Sequence, residues 1–226
     1  MPGDNATTGQ WEETIPVGSY GEPGNPATVC APPMDNTVGF GGYCFLTGVS
    51  PGSDGGLGEN DVDAGHTTLQ SPVIDLTDYE NPVLEYWRWY VNAPSSGANP
   101  ATDWWQVELS SDGGSNWQYL ENTSQQDISW RKKAFNISEH VDLTDEFVMR
   151  FIASDSTTIG EYLDGGSLIE AALDDIILYD VVDPDHDNTN DIAASVSLLL
   201  MPNPASDLVR IENMLEQTPV KPSCTC

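Results

Sequence analysis

The side chains best placed for chemistry are acidic. Asn60, Asp61 and Asp63 crowd a glycine-rich loop, and Asp174 and Asp175 interrupt a late apolar run. A hard divalent cation takes about six to eight oxygen ligands, so this density predicts a structural calcium ion. Neighbours on a strand point to opposite faces, so one of the last pair can serve, and Asp175 is the choice beside Asn60, Asp61 and Asp63. A second acidic stretch, Asp183, Asp185, Asp187, Asn188 and Asp191, lacks the turn glycine and closing glutamate of an EF-hand and reads as solvated linker.

Aromatic side chains offer a different chemistry, because indole rings stack on sugar faces. Trp87, Trp89, Trp104 and Trp105 are the candidate ligand-binding residues for a glycan platform. Trp104 and Trp105 are adjacent and must face opposite ways, so at least one belongs to the core. Catalysis has a weaker footing. His66, His140 and His186 are scattered, with no His-Glu-x-x-His run and no Gly-x-Ser-x-Gly elbow. A glycosidase needs two facing carboxylates, and Glu85, Glu108 and Glu170 could supply them if the fold brought two together. Cys30 and Cys44 flank a Pro- and Gly-rich loop and read either as a disulfide, adding roughly 3 kcal/mol, or as two thiols. Cys224 and Cys226 lie in a tail without flanking pattern.

The elements that must position these groups are strands. Leu84 to Val91 is dense in aromatic residues, with Tyr86, Arg88 and Tyr90 on one face and Glu85, Trp87, Trp89 and Val91 on the other. Asp103 to Leu109 is a second aromatic strand. It runs through Asp112-Gly113-Gly114, a hairpin signal, into Trp117 to Leu120. Ser110-x-Asp112-x-Gly114-x-x-Trp117 resembles an Asp box, whose serine and aspartate satisfy turn backbone while the tryptophan packs beneath. Further strand-like runs cover Asn5–Glu12, Gly42–Gly48, His66–Leu69, Ser71–Leu76, Trp130–Ile137, Glu146–Ala153 and Leu168–Tyr179, with a short turn at Ser138–Val141. Roughly eight to eleven short strands with no capped 3.6-residue period predict an all-β antiparallel sandwich of jelly-roll type.

The bulk composition agrees. The chain has 226 residues, 38% hydrophobic, with seven tryptophans, enough for one sizeable core over 1–181. Residues 182–194 form an acidic linker, and 195–226 add two short runs around Pro202-Asn203-Pro204 that cannot build a second core. Seven basic residues against 36 acidic ones, a net charge of −29, exclude nucleic acid and anionic membrane surfaces as partners. No apolar run reaches the length of a membrane helix, and Met1-Pro2-Gly3-Asp4-Asn5 does not read as a signal peptide.

Two stretches carry a family likeness. Gly58 to Leu76, then Tyr86-Trp87-Arg88-Trp89-Tyr90, the Ser-Asp-Gly-Gly…Trp hairpin and Ala171-Ala172-Leu173-Asp174-Asp175-Ile176 together resemble the MAM-like jelly-roll domains attached to secreted bacterial zinc carboxypeptidases and other exported hydrolases. The resemblance implies a first strand just before Asp4–Gly9, for which the sequence shows no counterpart. Met201-Pro202-Asn203-Pro204-Ala205-Ser206-Asp207-Leu208-Val209-Arg210-Ile211 resembles the opening of a type IX secretion C-terminal sorting domain, in truncated form. The resemblance implies a secreted or cell-surface, non-catalytic accessory or adhesion module of a parent hydrolase domain. In its narrower form it binds polysaccharide or a cell-surface glycan. Two other readings stay open: a jelly-roll enzyme cleaving glycan or peptide bonds, and a structural subunit of an extracellular assembly.

Overall fold

The computed structural model describes residues 1, 3–19, 29–37, 42–49, 60–92, 103–155 and 168–181. The linker, the sorting-like segment, His186, Cys224 and Cys226 lie outside the described residues. Among the described residues nine strands form: β1 (Trp11–Thr14), β2 (Cys44–Thr47), β3 (Gly65–Gln70), β4 (Pro82–Asn92), β5 (Trp105–Ser110), β6 (Gln118–Thr123), β7 (Asp127–Asn136), β8 (Val148–Asp155) and β9 (Ile169–Asp180). They make a five-stranded sheet, order β1-β2-β9-β4-β7, and a four-stranded sheet, order β3-β8-β5-β6. Every pairing is antiparallel, so the expected sandwich is the observed one. A 3-10 turn at Ile137–Glu139 stands where the short turn was expected. Ser71–Leu76 makes only a bridge, Ile74 to Phe147, because Pro72 breaks the ladder. No helix among the described residues is long and apolar enough to cross a membrane.

Alternation decides what lies between the sheets. Tyr86 and Tyr90 of β4, Trp105, Val107 and Leu109 of β5, and Met149 and Phe151 of β8 are buried there with Phe147. Arg88 shares that face and is 1% exposed. Its Nη1 donates to Glu121 at 2.7 Å and its Nη2 to Asp127 at 2.5 Å, while the Tyr86 hydroxyl also donates to Glu121. A buried guanidinium is tolerable only with such partners. This network closes the sandwich at its β6/β7 edge; Trp11, edge-on to Trp105 at 6.3 Å, packs at the β1/β3 edge.

The outer face of the five-stranded sheet carries a second, smaller core. Cys30, Cys44, Leu46, Trp89, Val91 and Ala172 pack beneath residues 29–37. That segment is pinned where Trp89 Nε1 donates to the Cys30 carbonyl at 2.5 Å and Trp130 Nε1 to that of Met34 at 3.0 Å. Asp174 accepts from Asn36 N at 2.7 Å, and Asp175 from Asn36 Nδ2 and Thr37 Oγ1. The acidic pair that interrupts the last apolar run is thus a bulge: the β4–β9 register shifts between Glu85 and Trp87, and Asp175 adopts φ of 49°.

The disulfide expectation is corrected here. Cys30 and Cys44 are both buried in this small core, and their sulfurs are not bonded to each other. Burial, then the charges of Glu170 and Asp61, push the Cys30 thiol up to about 12; burial, then Asp174 and Asp35, push Cys44 up as well. Both stay protonated and pack as small apolar groups, whereas disulfide exchange needs a thiolate.

Candidate functional site on the outer face of the four-stranded sheet

With Trp105, Val107 and Leu109 turned inward, Trp104, Gln106 and Glu108 must turn outward. The hairpin through Gly113 and Gly114 then sets the neighbours. Glu108 pairs with Tyr119 and Gln106 with Asn122, past a bulge between Val107 and Glu108. On the other side Glu108 pairs with Arg150 and Gln106 with Ile152, and these pair in turn with Gln70 and Thr68 of β3. The hairpin itself is held as its sequence predicts. Ser110 Oγ donates to Asp112 and accepts from Gly114 N at 2.9 Å, while Asp112 accepts from Asn116 N and Nδ2. Those bonds from Asn116 and Ser110 hold the Asp112 carboxyl down at about 2.

The resulting face carries two exposed rings with amides between them. Trp104 is 39% exposed and Tyr119 48%. Gln106 Nε2 donates to Asn122 Oδ1 at 3.2 Å and reaches the Tyr119 hydroxyl at 3.5 Å. Four residues along β5 separate Trp104 from the Glu108–Tyr119 pair, about 13 Å at strand rise. At the Tyr119 end, Arg150 Nε donates to Glu108 at 2.5 Å, and the guanidinium carbon lies 3.9 Å from the centre of the Trp117 ring. Such a face can stack two rings of an extended ligand and hydrogen-bond its polar edge between them.

The four tryptophans named from sequence are dispersed. Trp105 is fully buried between the sheets and Trp89 is 6% exposed under residues 29–37, so neither can meet a ligand. Trp87 is half-buried on the opposite sheet, beside Lys132 and Asp174. Trp104 alone of the four stands on the face described here. Tyr119, Gln106, Asn122 and Arg150 were missed: alternation along β5 and β8 puts Gln106 and Arg150 outside, but Tyr119 and Asn122, three residues apart, share that face only through the bulge opposite Val107 and Glu108, which the sequence does not announce.

The three candidate catalytic carboxylates do not face one another. Glu108 is on the outer face of the four-stranded sheet, bonded to Arg150. Glu85, ion-paired to Lys132 at 2.8 Å, and Glu170 share the outer face of the other sheet. Six strand positions separate them, about 20 Å, far beyond the roughly 5 to 9.5 Å of a glycosidase pair. Glu170 is also buried, accepts from Ser19 Oγ, and burial and Asp61 keep its carboxyl well above the usual range. Fixed so, it has no access to a substrate.

The expected calcium ligands come apart for a similar reason. Asp61 accepts from Ile169 N at 3.3 Å, at the start of β9, whereas Asp175 lies six residues on, about 20 Å away. Asp63 is near Asp61 but accepts from Thr8 Oγ1 at 2.9 Å, and the Asn60 amide donates to the Val49 carbonyl. Burial, then Asp63, lift the Asp61 carboxyl to about 7. Among the described residues no three acidic, histidine or cysteine side chains form a metal-holding group, so the residues present do not fit the predicted calcium site.

No protein-family model matches this chain, and no curated protein matches it. Among solved structures it is similar to a family 61 carbohydrate-binding module in complex with β-1,4-galactotriose, at 9% identity over 79% of this chain and 87% of that one, with a TM-score of 0.38. It is also similar to a family 16 carbohydrate-binding module, at 14% identity over 63% of this chain and 79% of that one, with a TM-score of 0.31.

Proposed function

We propose that this chain is a non-catalytic carbohydrate-binding module that lays a polysaccharide along the outer face of its four-stranded sheet. The observation that supports this reading most is the pairing of exposed Trp104 and Tyr119 on one face, with the Gln106 and Asn122 amides between them. Exposed aromatic rings are costly to leave in water, and a face spanning two of them suits several sugars of a chain rather than one. The dispersal of Glu85, Glu108 and Glu170 weighs against a hydrolase built on those carboxylates. In this reading the module works at or outside the cell surface, holding a partner hydrolase to its polymer.

The test is retention on insoluble galactan, xylan and β-glucan, with the supernatants assayed for released sugars. Retention without release is expected on at least one polymer. Trp104→Ala and Tyr119→Ala should each weaken it about tenfold, since covering roughly 60 Å² of ring is worth about 1.5 kcal/mol. Retention undiminished in both variants, or steady release of sugars, refutes the reading.

A further inference from the structure

Resting on that glycan-binding reading, we propose that Arg150 sets its specificity: the guanidinium fork reads a pair of adjacent hydroxyls on a neutral sugar chain at the Tyr119 end of the face. Arg150 of β8 stands opposite Glu108, which stands opposite Tyr119, so Arg150 and Tyr119 are two strands, about 10 Å, apart on one surface.

Two contacts fix the guanidinium plane. Its Nε donates to Glu108 Oε2 at 2.5 Å, and its carbon lies 3.9 Å from the Trp117 ring centre. Arginine has five N–H donors, and Nε accounts for one. The four on Nη1 and Nη2 meet no acceptor among the described residues, and the side chain is 28% exposed, so they open onto the face. The other described cations differ. Arg88 is equally ordered, but its terminal nitrogens are spent on Glu121 and Asp127 inside the core. Arg131 and Lys132 reach solvent at 61% and 50% exposure, paired with Asp127 and Glu85, and Lys133 lies on the other sheet opposite Tyr86. Arg150 is both immobilised and outward, which is the condition for a donor to bind without paying ordering entropy.

A planar fork matches two acceptors side by side, either a carboxylate or vicinal hydroxyls. Glu108 decides between them. It already cancels the arginine charge at 2.5 Å, and the net charge of −29 repels a polyanion as it approaches. Hydroxyl pairs meet neither penalty.

The experiment measures affinity for soluble galactan, xylan, β-glucan and polygalacturonate. The wild-type chain is compared with Arg150→Lys, Glu108→Gln, Trp104→Ala and Tyr119→Ala. Arg150→Lys keeps the charge and loses the planar fork. It should weaken binding of the preferred neutral polymer about tenfold or more, with its melting temperature monitored. Glu108→Gln keeps an acceptor for Nε, so it tests the fork even if Arg150→Lys disturbs packing. It removes the carboxylate that cancels the arginine charge, so the ratio of polygalacturonate to neutral-polymer affinity should rise, and an unchanged ratio overturns the charge argument. Wild-type affinity in Arg150→Lys alongside weakened Trp104→Ala and Tyr119→Ala overturns the fork and leaves the platform standing. Preference of the wild type for polygalacturonate overturns the hydroxyl assignment. Absence of binding to every polymer removes both.

Discussion

Replacing Arg88 by methionine tests how this sandwich closes at its β6/β7 edge. Methionine fills most of the arginine stem's volume, so the substitution removes charge and hydrogen bonds more than packing. It strands Glu121, whose side chain is 9% exposed and whose remaining described partner is the Tyr86 hydroxyl. Asp127, at 26% exposure, can turn towards water and adds little. Breaking a buried pair from one side costs about 3–5 kcal/mol, and here nearly all of it should come from Glu121. Adding Glu121→Gln to Arg88→Met should then recover about 2 kcal/mol or more, because the amide leaves no buried charge and still accepts from Tyr86. Urea unfolding followed by tryptophan fluorescence gives each value, and the double-mutant cycle isolates the coupling. A loss below about 1 kcal/mol for Arg88→Met, or strict additivity in the double variant, would refute the argument.

Two further outcomes follow from buried titratable groups. Asp61 binds its proton up to pH of about 7 when folded but only to 3.8 unfolded, so stability is fully present below the unfolded value and falls as pH rises to about 7. The difference, 7 − 3.8 = 3.2 pH units at about 1.36 kcal/mol each, is about 4 kcal/mol, so Asp61→Asn should be the more stable form at pH 8 and nearly equal at pH 4, as urea midpoints at both pH values would check. For the cysteines, mass spectrometry after a thiol-alkylating reagent should find Cys30 and Cys44 unmodified in the native chain and modified in denaturant without reductant; lack of modification in denaturant would restore the disulfide.

Much of the fold was readable because alternation over long strands leaves little choice. Tyr86, Arg88 and Tyr90 had to share a face, and so did Phe147, Met149 and Phe151; the structure buries both sets between the sheets, the arginine with acidic partners from β6 and β7. The Asp-box bonds were also local, and every one involves residues within a few positions of Asp112. The site was less readable because it depends on register between strands. Asp61 and Asp175 are both near β9, yet at positions about 20 Å apart along it, a separation that composition cannot show. Cys30 and Cys44 flank one loop, but what they join is a small core under Trp89, which appears only when residues 29–37 are laid across the sheet.

The seven tryptophans are used unequally on the two outer faces. Trp11 and Trp105 seal the main core, and Trp89 and Trp130 meet edge-on at 6.0 Å under the 29–37 segment. Their indole N–H groups are spent on main-chain carbonyls, so that part of the five-stranded sheet is covered from within. Trp117 lies under Arg150, holding a donor rather than offering a ring. What remains is Trp87, half-buried among charged neighbours, and Trp104, exposed beside an amide network with Tyr119 beyond it. Among the described residues, the 29–37 segment covers part of one outer face, while Trp104 and Tyr119 stand exposed on the other. That difference is why the proposed ligand surface falls on the four-stranded sheet.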